Sequence, residues 1–291
     1  RDILNGNILN MKITGKTRIT GVFGYPVGHS LSPLFQNAAF EYLKLDCVYI
    51  PMEVAPEEIG KAIEGIRALN FAGVNITIPH KRAVLKYLDG IDEEAKLLGA
   101  VNTVVNKNGK LKGYTTDGSG FTRSLKESCG FTIRGKKVFI LGSGGSSYAI
   151  SGALAKGKVS RIYICNRTEK KAILLKRHLF ENLGYKSVEV VPFGERNDKK
   201  IWLDIQLLVN ATSVGMKKGD PLLIDSENLA GDKFVYDTVY NRKTELLKAA
   251  EKKGLRCLDG LSMLIYQGAI SFELWTGKTA PVEVMKRSVY L

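Results

Sequence analysis

The stretch from Lys136 to Ala149 constrains the fold of this chain more than any other. Val138 to Leu141 form a short apolar run, rich in β-formers and too short for a helix. Gly142, Gly144 and Gly145 follow as a turn. Ala149, Ile150, Ala153 and Leu154 then recur at helical spacing until Gly157 ends the run. A strand, a tight glycine turn and a helix aim backbone N–H groups and a helix N-terminus at a phosphate. The spacing is G-x-G-G-x-S, with Ser147 in the third small position. The same spacing also suits an ordinary βα unit with a glycine turn.

The next segment favours a dinucleotide. Arg161 to Cys165 read as the following strand, and a ribose-reading group belongs at its carboxyl end, about 20 residues past the turn. An acidic residue there would select NAD. Asn166, Arg167 and Thr168 stand there instead, and a guanidinium with a hydroxyl suits the 2′-phosphate of NADP. The plainer alternative is a surface arginine beside a helix N-cap at Thr168.

Length and composition restrict the class. A chain of 291 residues suggests two domains, and 44% hydrophobic with 25% charged residues is the balance of a soluble globular protein. No apolar run approaches the length of a membrane span, and no signal peptide is visible. Cys47, Cys129, Cys165 and Cys257 are far apart and form no C-x-x-C, which suggests reduced thiols and a cytoplasmic location. His29, His80 and His178 have no metal-ligand spacing, so no metal is expected. The net charge of +14 raises nucleic acid as a partner. The lysines are scattered, however, with no aromatic-interleaved basic cluster, so a basic surface that attracts small anions, or merely confers solubility, is preferred. Residues 1–10 show no periodicity and read as a cloning remnant or a mobile arm.

Further along the chain, Arg18–Gly24, Cys47–Val54 and Ala72–Ile78 read as strands, with Pro51 placing the second at an edge or a bulge. A helix with Leu34, Ala38, Phe40 and Leu43 among its apolar positions lies between the first two. Another runs from Pro56 to Asn70, another ends at Leu88, and another carries Ala95, Leu97 and Leu98. Asn108-Gly109 between Val101–Val105 and Lys110–Tyr114 signals a hairpin. A helix starts at Thr116-Asp-Gly118. Strands at 137–141, 161–165, 187–191, 205–210, 234–239 and 255–258 then alternate with helices, which predicts a doubly wound parallel sheet. Two helices, about 261–275 and 281–289, close the chain.

Several segments carry candidate chemistry. Ser30 and Ser32 stand beside Pro33 at a helix start, where paired hydroxyls can bind a carboxylate; N-capping by Ser32 with Pro33 at N1 is the simpler reading. Asn75 to Lys81 close a buried strand with polar side chains, Asn75 and Thr77 facing the same way. Asn102 and Asp117 lie in the next two such segments, Asp117 also being suited to an N-cap. His80 reads as packing or orienting its loop, and His178 as facing solvent from a lysine-rich helix.

Taken in order, these motifs resemble the shikimate dehydrogenases of the wider shikimate/quinate dehydrogenase family. The resemblance rests on Gly24 to Pro33, Asn75 to Lys81, Gly99 to Thr103, Thr116 to Gly118, Gly142 to Gly145, Asn166 to Thr168, Asn210 to Met216, Tyr240 with Thr244, and Gly260 to Gln267. It implies an α/β chain with a substrate-binding domain over 11–115, completed by helices in 263–291, and a Rossmann-type NADP-binding domain over 116–262. It implies reversible NADPH-dependent reduction of 3-dehydroshikimate to shikimate, on the route to chorismate and the aromatic amino acids. A quinate/shikimate dehydrogenase of relaxed specificity is the nearest alternative, and a non-catalytic NADP or shikimate binder a more distant one.

By the same resemblance Lys81 and Asp117 would be the catalytic pair. Ser30 and Ser32 would hold the substrate carboxylate, and Thr77, Asn102, Tyr240 and Gln267 would contact the rest of the substrate. Gly142, Gly144, Gly145, Ser146, Asn166, Arg167, Thr168, Thr212, Met216, Val239 and Gly260 would line the cofactor. The partners would be small molecules, without nucleic acid or membrane, and the protein a monomer or homodimer. Gln36, Thr115, Arg242, Ser147 and Tyr148 depart from the usual family residues. None of these departures removes a proposed catalytic group.

Overall fold

The computed structural model describes residues 12–289, so the reading of residues 1–10 lies outside the described residues. The described residues form two units, residues 12–116 with 267–289, and residues 117–266. In the first unit the elements run β1 (Arg18–Gly24), α1 (Ser32–Tyr42), β2 (Cys47–Glu53), α2 (Ile59–Ala68), β3 (Gly73–Ile76), β4 (Gly90–Ile91), α3 (Glu93–Leu98), β5 (Thr103–Lys107) and β6 (Lys110–Tyr114). They build a mixed sheet in the order β2-β1-β3-β5-β6-β4. β1 is parallel to β2 and β3, whereas β5 is antiparallel to both β3 and β6. Pro51 is tolerated because β2 is an edge strand. Asn108 and Gly109 take the positive φ angles, 55° and 82°, that a two-residue hairpin demands.

Burial selects among the apolar positions of α1. Leu34 is exposed, and the covered face carries Phe35, Gln36, Asn37, Ala39 and Phe40. Polar residues can lie there because they are paired. The Asn37 side chain donates to the Tyr49 carbonyl at 2.9 Å and accepts from the Tyr49 N–H at 2.7 Å, tying α1 to β2. Similarly, β3 leaves the sheet after Ile76, so Ile78 is exposed rather than part of a buried strand. The helix expected to end at Leu88 is a short 3-10 turn, Ala83–Tyr87. The two-residue strand β4 had no sequence signal.

The second unit contains α4 (Asp117–Cys129), β7 (Lys137–Leu141), α5 (Gly145–Lys156), β8 (Arg161–Cys165), α6 (Glu169–Leu183), β9 (Val188–Val191), α7 (Lys199–Trp202), β10 (Leu207–Asn210), β11 (Phe234–Asp237), α8 (Glu245–Lys252) and β12 (Arg256–Leu258). Its sheet has the order β12-β11-β10-β7-β8-β9, with every pair parallel. This is the doubly wound arrangement, whose strand order reverses between β7 and β10. Alternate residues of β7 serve opposite faces. Val138 and Ile140 pack with Phe121 and Ile150, and Phe139 and Leu141 with Trp202 and Leu246. The closing helices are α9 (Leu261–Thr276) and α10 (Val282–Arg287), and α10 packs on α1 in the first unit. No helix among the described residues is long and apolar enough to cross a membrane.

Phe121 is fully buried, edge-on to Tyr236 with ring centroids 4.8 Å apart. Phe121→Ala is expected to destabilise the second unit by about 3–5 kcal/mol, the range for an aromatic-to-alanine truncation in a core. Urea unfolding followed by circular dichroism measures it; an unchanged midpoint would show that Phe121 is not part of the core.

Candidate active site

In the second unit the candidate site begins at the glycine turn. Gly142 has φ +106°, and a Cβ there would lie 2.8 Å from the Ala211 carbonyl oxygen, so only glycine fits. The turn thereby presses against the start of the 211–216 loop, next to Thr212. Gly144 and Gly145 differ: a Cβ on either would meet nothing within 4 Å. Open space therefore lies before the N-terminus of α5, whose first N–H groups have no carbonyl within the helix. The Ser143 hydroxyl in this turn is buried without a hydrogen-bond partner in the protein. Open space, the N–H groups of a helix start and an orphaned hydroxyl fit a diphosphate. Ser146 is half-buried in the first turn of α5.

At the end of β8, Asn166 donates to the Thr168 carbonyl at 2.8 Å and shapes the turn that presents the exposed Arg167. Thr168 is the N-cap residue of α6, but its side chain makes no capping bond. At the end of β10, Asn210 accepts from both the N–H and the hydroxyl of Thr212, at 3.1 and 2.7 Å. The Gly260 N–H donates to the Val239 carbonyl at 3.2 Å, and a Cβ on Gly260 would collide with the Thr238 backbone. Met216 is exposed. Tyr240 is half-buried, and burial raises its phenol pKa. Asp117 is buried at the first residue of α4.

The first unit gathers its candidates around Asn75. Its amide donates to the Asn102 carbonyl at 3.1 Å, to Thr103 Oγ1 at 3.1 Å and to Ser271 Oγ at 2.9 Å, and it accepts from Tyr49 Oη at 2.8 Å. The Asn102 carbonyl cannot donate, so it fixes which way the Asn75 amide points. Asn102 in turn donates to Gln267 Oε1 at 3.2 Å and accepts from the Thr116 N–H at 2.8 Å. Burial pushes the Tyr49 phenol far above its usual range, opposed by a hydrogen bond with Ser32. Ser32, Asn102 and Gln267 thus lie on one buried polar network.

Ser32 is not an N-cap. Leu31 occupies that position without a side-chain capping bond, and the Ser32 N–H donates to Ser30 Oγ at 3.3 Å. Thr77 is half-buried at the same strand end, its N–H donating to the Phe23 carbonyl at 2.9 Å. Lys81 is also half-buried, and its carbonyl accepts from the Val101 N–H at 2.8 Å. His80 Nε2 lies 2.8 Å from the Val54 carbonyl oxygen and locks the loop, the orienting role expected of it. His178 differs from expectation: it is half-buried, edge-on to Tyr148 and paired with Asn182. Gln36, an unusual residue for the family pattern, is fully buried and donates to the Gly268 carbonyl at 2.9 Å, next to Gln267.

Two family models match the chain: a shikimate dehydrogenase substrate binding domain over residues 22–104, and a shikimate 5′-dehydrogenase C-terminal domain over residues 260–290. A shikimate dehydrogenase (NADP(+)) from Methanopyrus kandleri is 43% identical over 97% of this chain and 98% of its own length. The chain belongs to the shikimate dehydrogenase family. A crystal structure of a family member in complex with NADP+ superposes with TM-score 0.91 at 39% identity, covering 98% of each chain. Another, from Listeria monocytogenes and in complex with shikimate and NAD, gives TM-score 0.88 at 39% identity over 95% of this chain and 97% of the other. The substrate-domain match contains both Asn75 and Lys81.

Sequence reasoning passed over Tyr49, Ser271 and Asp237. Asp237 had a signal, a charged residue closing the otherwise apolar run Phe234-Val-Tyr-Asp237. Tyr49 and Ser271 had none, since their role depends on β2 and α9 meeting β3.

Asn75→Ala would leave Tyr49 Oη and the hydroxyls of Thr103 and Ser271 short of partners in a buried site. The expected cost is about 1–3 kcal/mol for the stranded polar groups. A denaturant titration reads the loss; an unaltered midpoint would show that the network is dispensable for stability.

Proposed function

We propose that this chain catalyses the reversible NADPH-dependent reduction of 3-dehydroshikimate to shikimate, a step toward the aromatic amino acids. The observation that carries the reading is the near-full-length identity, 43%, to a shikimate dehydrogenase (NADP(+)), over a chain that keeps Lys81 and Asp117. In this reading the first unit binds the acid and the second binds NADP. The open glycine turn, the unpaired Ser143 hydroxyl and the exposed Arg167 fit the diphosphate and the 2′-phosphate. The four unbridged cysteines support a reducing compartment, and with it the cytoplasm.

When bound, the cofactor supplies the hydride in one direction and accepts it in the other. The chain's own residues do the rest. Ser30 and Ser32 hold the carboxylate by hydroxyl donation, and Asn102 and Gln267 meet the ring hydroxyls. As the ketone becomes an alcohol, its oxygen needs a proton, and the Lys81 ammonium gives it. The reverse reaction returns that proton to the amine. Asp117 accepts a hydrogen bond from the substrate, and Tyr240 is a further substrate-binding residue.

Two substitutions test these roles. Lys81→Ala is expected to lower kcat by about 10²–10⁴, the usual worth of general acid–base catalysis, with far less change in KM for shikimate. A folded variant with near-normal kcat would transfer the proton role to Asp117 or a bound water. Arg167→Ala is expected to weaken NADP by about 1.5–3 kcal/mol, the worth of a charge-assisted hydrogen bond, and to leave NAD almost unchanged. Equal losses for both cofactors would show Arg167 to be structural.

A further inference from the structure

Asp237 is a fully buried carboxylate at the carboxyl end of β11, next to the strand-order reversal of the second sheet. Three donors surround it. Oδ1 accepts from Asn210 Nδ2 and from the Val239 N–H, both at 3.0 Å, and Oδ2 accepts from Thr244 Oγ1 at 2.7 Å. These donors come from two separate turns. Val239 and Thr244 belong to the turn after β11. Asn210 opens the turn after β10 and shapes it further, donating to the Val214 carbonyl at 3.0 Å while accepting twice from Thr212.

The direction of each bond is fixed. The Val214 carbonyl and Asp237 Oδ1 can only accept, so the Asn210 amide nitrogen must face them. Its oxygen is then left for Thr212. Thr244 Oγ1 accepts from the Leu247 N–H at 3.2 Å, which leaves its proton for Asp237. Three donors and no acceptor face the carboxylate. Burial raises the Asp237 pKa, the bonds from Thr244, Val239 and Asn210 oppose the shift, and nearby Asp259 adds to it. Such a site is costly to build, and an apolar residue would pack the strand end without that cost.

We propose that Asp237 is a positioning residue for the nicotinamide end of the cofactor, acting by holding the two turns in register. The turns that it joins carry Thr212, Met216, Val239 and Tyr240, and the Val239 carbonyl also receives the Gly260 N–H. Each half of a doubly wound sheet holds one mononucleotide; the β7–β9 half carries the turns at Gly142–Gly145 and Asn166–Thr168, suited to the adenosine end, which leaves the β10–β12 half for the nicotinamide end. Asp237 therefore acts directly on one half of the cofactor site and reaches the other only through the contact of Gly142 with Ala211. This inference rests on the reading of the second unit as an NADP site.

The test uses the full chain with Asp237→Asn, Thr244→Val and Thr244→Ser, and two probes, NADP and adenosine 2′,5′-bisphosphate. Asp237→Asn keeps the size of the side chain but turns an amide N–H toward donors. NADP affinity is expected to fall about tenfold or more, consistent with loss of hydrogen bonds to a charged group, while adenosine 2′,5′-bisphosphate binds within about twofold of wild type. Thr244→Val is expected to shift NADP affinity in the same direction, and Thr244→Ser, which keeps the hydroxyl, to restore it. If Asp237→Asn does not fold, the valine and serine pair decides alone. Unchanged NADP affinity in the folded variants, or equal loss of both probes, overturns the assignment. A wild-type protein that binds neither probe would instead sink the NADP reading on which it rests.

Discussion

A buried strand leaves few places for polar side chains, and its carboxyl end is the main one. Both units of this chain obey that constraint. β3 carries Asn75 one residue before its end; β10 closes on Asn210 and β11 on Asp237. Each of these residues is buried, and each meets several partners. Asn210 and Asp237 fix the loops that follow their strands, whereas Asn75 ties β3 to β2, β5 and α9. Thr212, Met216, Val239 and Tyr240 stand on the loops after β10 and β11, and Asn102 and Gln267 belong to the network around Asn75, so these groups depend on how the strand ends are satisfied.

The two halves solve the problem differently. Around Asn75 the network is neutral, built from amides and hydroxyls contributed by β2, β5 and α9. A neutral network can be buried at low cost when every group is paired. Around Asp237 a carboxylate is buried among neutral donors, which is more costly and gives a stronger grip on each donor. The glycine turn adds a third device. Gly142 holds close backbone contact, while Gly144 and Gly145 keep space open, so neighbouring glycines perform opposite tasks.

Much of the fold is legible in the sequence because the strands are short apolar runs bounded by glycine, proline or asparagine. The ends of β1, β7 and β8 coincide with those runs. The covered face is not legible where two stripes of similar spacing compete. On α1, Leu34 and Ala38 look as apolar as Phe35 and Ala39, and the Asn37–Tyr49 pairing decides which stripe is covered. The setting of His178 is hidden from local sequence because its cover, Tyr148, comes from another helix. In the candidate site, Asn102 and Gln267 stand out only through their motifs, whereas their hydrogen bond spans 165 positions of sequence and no local pattern reveals it. Ser32 fits an N-cap by local pattern, but the helix begins one residue earlier than that pattern requires.

The most direct measurement is the initial rate of nicotinamide reduction, followed by near-ultraviolet absorbance, with shikimate and quinate each paired with NADP and NAD. Turnover is expected to be fastest with shikimate and NADP, and poorer on quinate, whose saturated ring carbon tilts the carboxylate away from Ser30 and Ser32. No reduction with any pair would contradict a dehydrogenase, and equal kcat/KM for the two acids would contradict a shikimate-selective one.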